Sequence, residues 1–160
     1  MKELFSNFRS FMVEANLSDV TTGGMIELYH FTWSKKVANV DSFIMDPKYF
    51  VTNRNYYSQN DWQTSRYPRS FFYTNPENKE PIVNGNLFKA EIPETEIYDL
   101  KNDPENYVEK HSHPTYGLRK DMEWTEMLRD IHSSYKGAFY SLSNADVIVL
   151  FDPTEVNRVE

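Results

Sequence analysis

His30 closes an apolar run, Met25-Ile26-Glu27-Leu28-Tyr29-His30-Phe31, and is followed by Thr32. An imidazole there has two uses. It can pack in the core and bond a backbone group, or it can present a ring nitrogen to a ligand at the strand's end. Asp146 stands before Val147-Ile148-Val149-Leu150-Phe151-Asp152. A carboxylate in that position either turns the chain after Ser143-Asn144 or supplies negative charge to a site. Tyr73, in Phe71-Phe72-Tyr73-Thr74, and Tyr57, in Tyr56-Tyr57-Ser58, offer rings that can stack on a planar ligand or simply pack. Arg69 and Arg54 are the cations that could meet a pyrophosphate. His111 and His113 lie two apart with no thiol in the chain, so the reading is a solvated loop before Pro114 and no metal. No glycine-rich phosphate loop, dinucleotide fingerprint or serine nucleophile elbow occurs.

Composition narrows the setting for that chemistry. The chain has 160 residues, enough for one domain with a real core. Eleven Tyr, eleven Phe and three Trp argue against disorder, which is poor in aromatics. The formal charge of −7 repels phosphate backbones, so nucleic acid would need a local basic patch from Arg54, Arg66 and Arg69. Cysteine is absent, which excludes disulfides and thiol catalysis. No window has the roughly 20 apolar residues of a membrane span, and the first residues lack a signal-peptide core. These features lead to the expectation of a soluble, cytoplasmic protein with no membrane partner.

The elements that must hold these residues follow from periodicity. Leu4, Phe5, Phe8, Phe11 and Met12 recur at helical steps, predicting an amphipathic N-terminal helix over 1–16. Gly23-Gly24 breaks the chain before the strand that ends at His30. Residues 33–44 read as a short helix or turn, and 48–68 as a long polar loop. Strands are predicted over 69–74, 86–92 and 96–100, an irregular charged stretch over 101–114, and a helix over 118–134 that Gly137 ends. Further strands are expected over 138–140 and 147–151, the latter buried on both faces. No repeat or linker divides the chain. The expected fold is α+β, a single domain over 1–160 with mainly antiparallel split sheets, an N-terminal helix and a later helix.

Leu28-Tyr29-His30-Phe31-Thr32 resembles the first-strand motif of ADP-ribosyltransferases of the diphtheria-toxin and poly-ADP-ribose polymerase type. Phe71-Phe72-Tyr73-Thr74 is similar to their second motif, an aromatic on a strand followed by a small residue. Asp146 with its following strand looks like the segment that carries their catalytic acid. The matching pieces run in the family's order through 25–155. The resemblance implies NAD as co-substrate, with Asp146 as catalytic acid and His30 donating a hydrogen bond to a ribose. It also implies Thr32 beside His30, Tyr73 or Tyr57 stacking on nicotinamide, and Arg69 near the pyrophosphate. The acid would bind ribose hydroxyls and stabilise an oxocarbenium-like charge as the nicotinamide–ribose bond breaks. Phe31 stands where the family has Gly. The acid is Asp in place of Glu and six residues before Asp152 in place of five. One position along a strand reverses a side chain, so the sequence leaves open which face Asp146 takes.

The function implied is an NAD-dependent ADP-ribosyltransferase-like protein acting on a macromolecular acceptor, a protein rather than nucleic acid. By analogy, small acidic cysteine-free chains of this sort resemble phage-encoded effectors, which would work in the host cytoplasm. The rival is a non-catalytic interaction or phage structural module on the same or another α+β fold, using its aromatic surface. An enzyme should bring His30, an aromatic and an acid to one pocket; a module should disperse them. Oligomeric state has no signature in the sequence.

Overall fold

The computed structural model describes residues 16–32, 34–48, 67–75, 85–112, 114–115, 122–142 and 145–159. The predicted N-terminal helix and the Tyr56-Tyr57-Ser58 stretch lie outside the described residues.

Nine strands form one hydrogen-bonded sheet. They are β1 (Thr21–Thr22), β2 (Met25–Thr32), β3 (Ser42–Met45), β4 (Ser70–Tyr73), β5 (Asn86–Pro93), β6 (Ile97–Asp99), β7 (Gly137–Leu142), β8 (Ala145–Leu150) and β9 (Thr154–Arg158). Two α-helices are described, α1 (Tyr107–His111) and α2 (Met122–His132). The sheet runs β3-β9-β5-β2-β4-β8-β7-β6, with β1 also paired to β2. Among the described residues only β6 and β7 pair in parallel.

The α+β class expected from the sequence holds. Split sheets were expected, and the strands instead hydrogen-bond along one path. Its pairing is nevertheless uneven. β2 pairs with β5 along all eight residues, from Met25↔Pro93 to Thr32↔Asn86. β2 meets β4 at the single row Tyr29↔Tyr73. The sheet is thus two well-paired halves joined by one row.

It is also bent. β5 and β6 stand five strand positions apart, about 24 Å if the sheet were flat. Only Glu94–Glu96, a 3-10 turn, connects them, and four residue steps reach about 14 Å even when fully extended. A flat sheet cannot satisfy that connection. The end of β5 must curve towards the start of β6, and the bend leaves a groove between Ile92 and Pro93 on one side and Leu150 and Asp152 on the other.

Each face of the sheet has its own core. Ile26, Leu28, Phe72, Phe88, Phe139 and Ile148 belong to one cluster. Tyr98, Ala138, Tyr140, Val147 and Val149 form the other, with Met127, Leu128 and Ile131 of α2 packed on it. β8 feeds both clusters, as a strand buried on two faces should.

Gly23 and Gly24 have φ of +60° and +78°, the two-residue turn that joins β1 to β2. Gly137 was expected to end the helix. α2 stops earlier, at His132, and Gly137 opens β7. A Cβ at Gly137 would lie 2.3 Å from the Val149 carbonyl oxygen, so close strand packing requires glycine there. Where the sequence predicted a helix or turn over 33–44, a 3-10 turn (Lys35–Val37) leads into β3. α1 occupies part of the stretch read as irregular, and β9 was not foreseen.

Candidate active site

Alternation along β2 directs Ile26, Leu28, His30 and Thr32 to one face and Glu27, Tyr29 and Phe31 to the other. His30 therefore lies beside Phe88 of β5 and Phe72 of β4, both fully buried. The Phe72 ring stands edge-on at 6.0 Å. The imidazole Nδ1 is 3.0 Å from the Phe71 carbonyl oxygen. This bond sits next to the solitary β2–β4 row, where the ladder ends and a side chain meets a backbone carbonyl.

Protonation follows from that geometry. A carbonyl oxygen only accepts, so Nδ1 carries the hydrogen. Burial lowers the His30 pKa from its ordinary value, against a smaller opposing effect of the Phe71 carbonyl, and favours the neutral ring. Nε2 is then an acceptor. The resemblance implied a His30 that donates to ribose; this tautomer accepts from a hydroxyl.

Asp146 lies on β8 opposite Ser141 of β7. Phe72 pairs with Ile148, so Asp146 is two residues further along β8 and on the same face as Phe72 and His30. The question of face left open by the sequence is resolved in this direction. Two strand spacings across and two residues along separate the His30 and Asp146 Cα atoms by about 12 Å.

Two donors hold the carboxylate. Lys101 Nζ is 3.0 Å and Ser141 Oγ 2.9 Å from Asp146 Oδ1. Among the described residues no hydrogen bond reaches Oδ2. The pair is largely withdrawn from water, with side-chain exposures of 18% for Lys101 and 8% for Asp146. Lys101 is aimed by the turn after β6, where Asp99 Oδ1 accepts the Lys101 backbone N–H at 3.0 Å. Its ammonium also lies 5.2 Å from the centre of the Phe139 ring.

The other expected site residues are dispersed. Tyr73 shares a face with Tyr29 and packs against the helix-side core, so the sheet separates it from His30. Phe31 points to the face away from His30. Thr32 shares the His30 face, and its hydroxyl accepts the Ser34 N–H at 3.1 Å. Arg69 is buried, with one guanidinium nitrogen 2.9 Å from the Tyr67 carbonyl and its centre 5.2 Å from the Phe71 ring centroid. Tyr57, Tyr56, Arg54, Arg66 and His113 lie outside the described residues. His111 pairs with Asp130 at 3.0 Å, joining α1 to α2. His132 meets Tyr67 and Asp152 on the helix side of the sheet.

Sequence reading missed Lys101 and Ser141. Ser141 is five residues before Asp146, the register of a tight hairpin, which is a signal the sequence does carry. Lys101 is 45 residues away and has no local signal. No protein-family model matches this chain, and neither a curated protein nor a solved structure does.

Proposed function

We propose that this chain is an NAD-dependent ADP-ribosyltransferase-like protein that breaks the nicotinamide–ribose bond and passes ADP-ribose to a macromolecular acceptor. The observation that supports it is the placement of His30 and Asp146 on one face, across the row where the two halves of the sheet join. A neutral imidazole whose Nε2 accepts suits the hydroxyl of a ribose. A carboxylate whose two protein donors both fall on Oδ1 suits the positive charge that develops at the anomeric carbon.

The roles are narrower than the motif implies. Arg69 is engaged with Tyr67 and Phe71, and Thr32 with the turn at Ser34, so neither supports the binding of NAD here. Tyr73 faces the opposite core.

Isothermal calorimetry with NAD tests the proposal, with His30→Ala as the paired variant. Saturable binding that the substitution abolishes is the expected result. Folded protein that binds no NAD at millimolar concentration overturns it. A non-catalytic interaction module is the second reading, and it draws on the dispersal of His30, Tyr73 and Asp146 over the two faces of the sheet and on the Lys101 ammonium that already neutralises Asp146.

A further inference from the structure

The two ends of the sheet close their edges differently. β6 is the edge strand at one end and β3 at the other. β6 is three residues long, and its Ile97 and Tyr98 are buried. Leu100 donates its backbone N–H to the Phe139 carbonyl of β7, so the Asp99 carbonyl turns outward. That carbonyl accepts the Asp103 N–H at 2.9 Å, and the turn after β6 thereby occupies the strand's own edge.

β3 has no such closure. The Arg158 N–H bonds the Asp41 carbonyl at 2.7 Å, which fixes the parity of the β3–β9 ladder. Asp41, Phe43 and Met45 turn their backbone groups to β9, and Ser42 and Ile44 turn theirs outward. Among the described residues nothing bonds those outward groups. The register from Ser42↔Asn157 to Met45↔Thr154 runs without a bulge, and Ser42-Phe43-Ile44-Met45 has neither charge nor proline. Those are the devices that ordinarily blunt a free edge.

The side chains point the same way. Phe43 and Met45 pack on the core, whereas Ile44 on the other face is 65% exposed. Its cross-strand neighbour is Glu155, and Ser42 lies beside Asn157. One large apolar side chain thus stands in polar surroundings at the outer margin of the sheet, where a further strand would cover it.

This edge is complementary to itself. Its outward groups belong to Ser42, Ile44 and, one step on, Asp46, which Pro47 keeps extended. Such a strand can pair antiparallel with its own copy about a two-fold axis through Ile44. Ile44 then exchanges both hydrogen bonds with Ile44 of the second copy, and Ser42 does so with Asp46. The two isoleucines face each other, and Asp41 falls beside Pro47, so no acid opposes an acid. A shift of one residue would set Asp41 against Asp46 and oppose outward groups with groups already bonded to β9.

We propose that β3 is the interface of a symmetric dimer, in which two copies join edge to edge through Ile44 into one continuous sheet.

The absence of cysteine makes the test direct. Cα atoms of a hydrogen-bonded antiparallel pair lie about 5.5 Å apart, within disulfide range. Ile44→Cys, at an exposed side chain, should therefore oxidise to a disulfide-linked dimer. Ser42→Cys should not, because the two Ser42 positions stand about 14 Å apart along the strands. The parent should sediment as a dimer, with hydrogen exchange of the Ile44 amide slowing as protein concentration rises. Ile44→Lys sets two ammonium groups opposite each other and should lose both effects while its circular dichroism stays parental. A parent that sediments as a monomer at every concentration, or a Ser42→Cys protein that cross-links as readily as Ile44→Cys, overturns the proposal. An Ile44 amide that exchanges slowly at every concentration would show the edge covered within one chain, and overturns it as well.

Discussion

His30 and His132 lie on opposite sides of one sheet, and each has an aspartate in its neighbourhood. The two pairs are built differently. His30 sits among Phe72 and Phe88, binds a backbone carbonyl and stands about 12 Å from Asp146 across an intervening strand. Its acid is held by Lys101 and Ser141. His132 touches its acid directly, at the rim, where Asp152 is 55% exposed and His132 27%. Distance and burial thus give the same two residue types different surroundings. The buried acid also has a structural load that the exposed one lacks, because a charge withdrawn from water depends on its partner.

The sharpest way to break the comparison is at Lys101. Lys101→Met leaves Asp146 withdrawn from water without its cation and should cost about 3–5 kcal/mol, seen as a lower urea midpoint. Adding Asp146→Asn to that variant should recover much of the loss, since the uncompensated charge is then gone. A loss below about 1 kcal/mol would put the Asp146 pair in the same class as the exposed one.

The next effect is a pH dependence. The folded state lowers the His30 pKa below its ordinary 6.5, so below that value the unfolded chain binds the proton more readily. Stability from this group is present above pH 6.5 and declines as pH falls from there towards the lowered folded value. Urea midpoints between pH 7 and pH 5 should fall more steeply for the parent than for His30→Gln. Equal slopes would mean that burial does not act on this imidazole.

The smallest effect belongs to the rim. Asp152→Asn should change stability by less than about 1 kcal/mol, as expected for an exposed pair. If its urea midpoint dropped as far as that of Lys101→Met, the His132–Asp152 contact would be a structural tie.

Much of the framework was legible in local sequence. Period-two alternation marks β2 and β5, the double-sided apolar run marks β8, and Met127, Leu128 and Ile131 mark the buried side of α2. Those signals arise from burial, which repeats along the chain. β9 was missed because Thr154–Arg158 buries only Val156 deeply and so lacks an apolar pattern. Gly137 was misread because helix termination is the commoner use of glycine, and the nearby Val149 carbonyl that demands it is twelve residues away.

By itself the sequence determined which residues alternate, where the chain must turn, and that His30 ends an apolar strand. Those are properties of neighbours along the backbone. Tertiary structure alone decided that Asp146 shares a face with His30 and that Tyr73 does not. It also decided that Lys101 reaches Asp146 across 45 residues, and that Tyr67 reaches His132 across 65. Side-chain partners separated by that much chain are set by strand order and by the bend of the sheet. Neither leaves a periodic trace in the residues that depend on it.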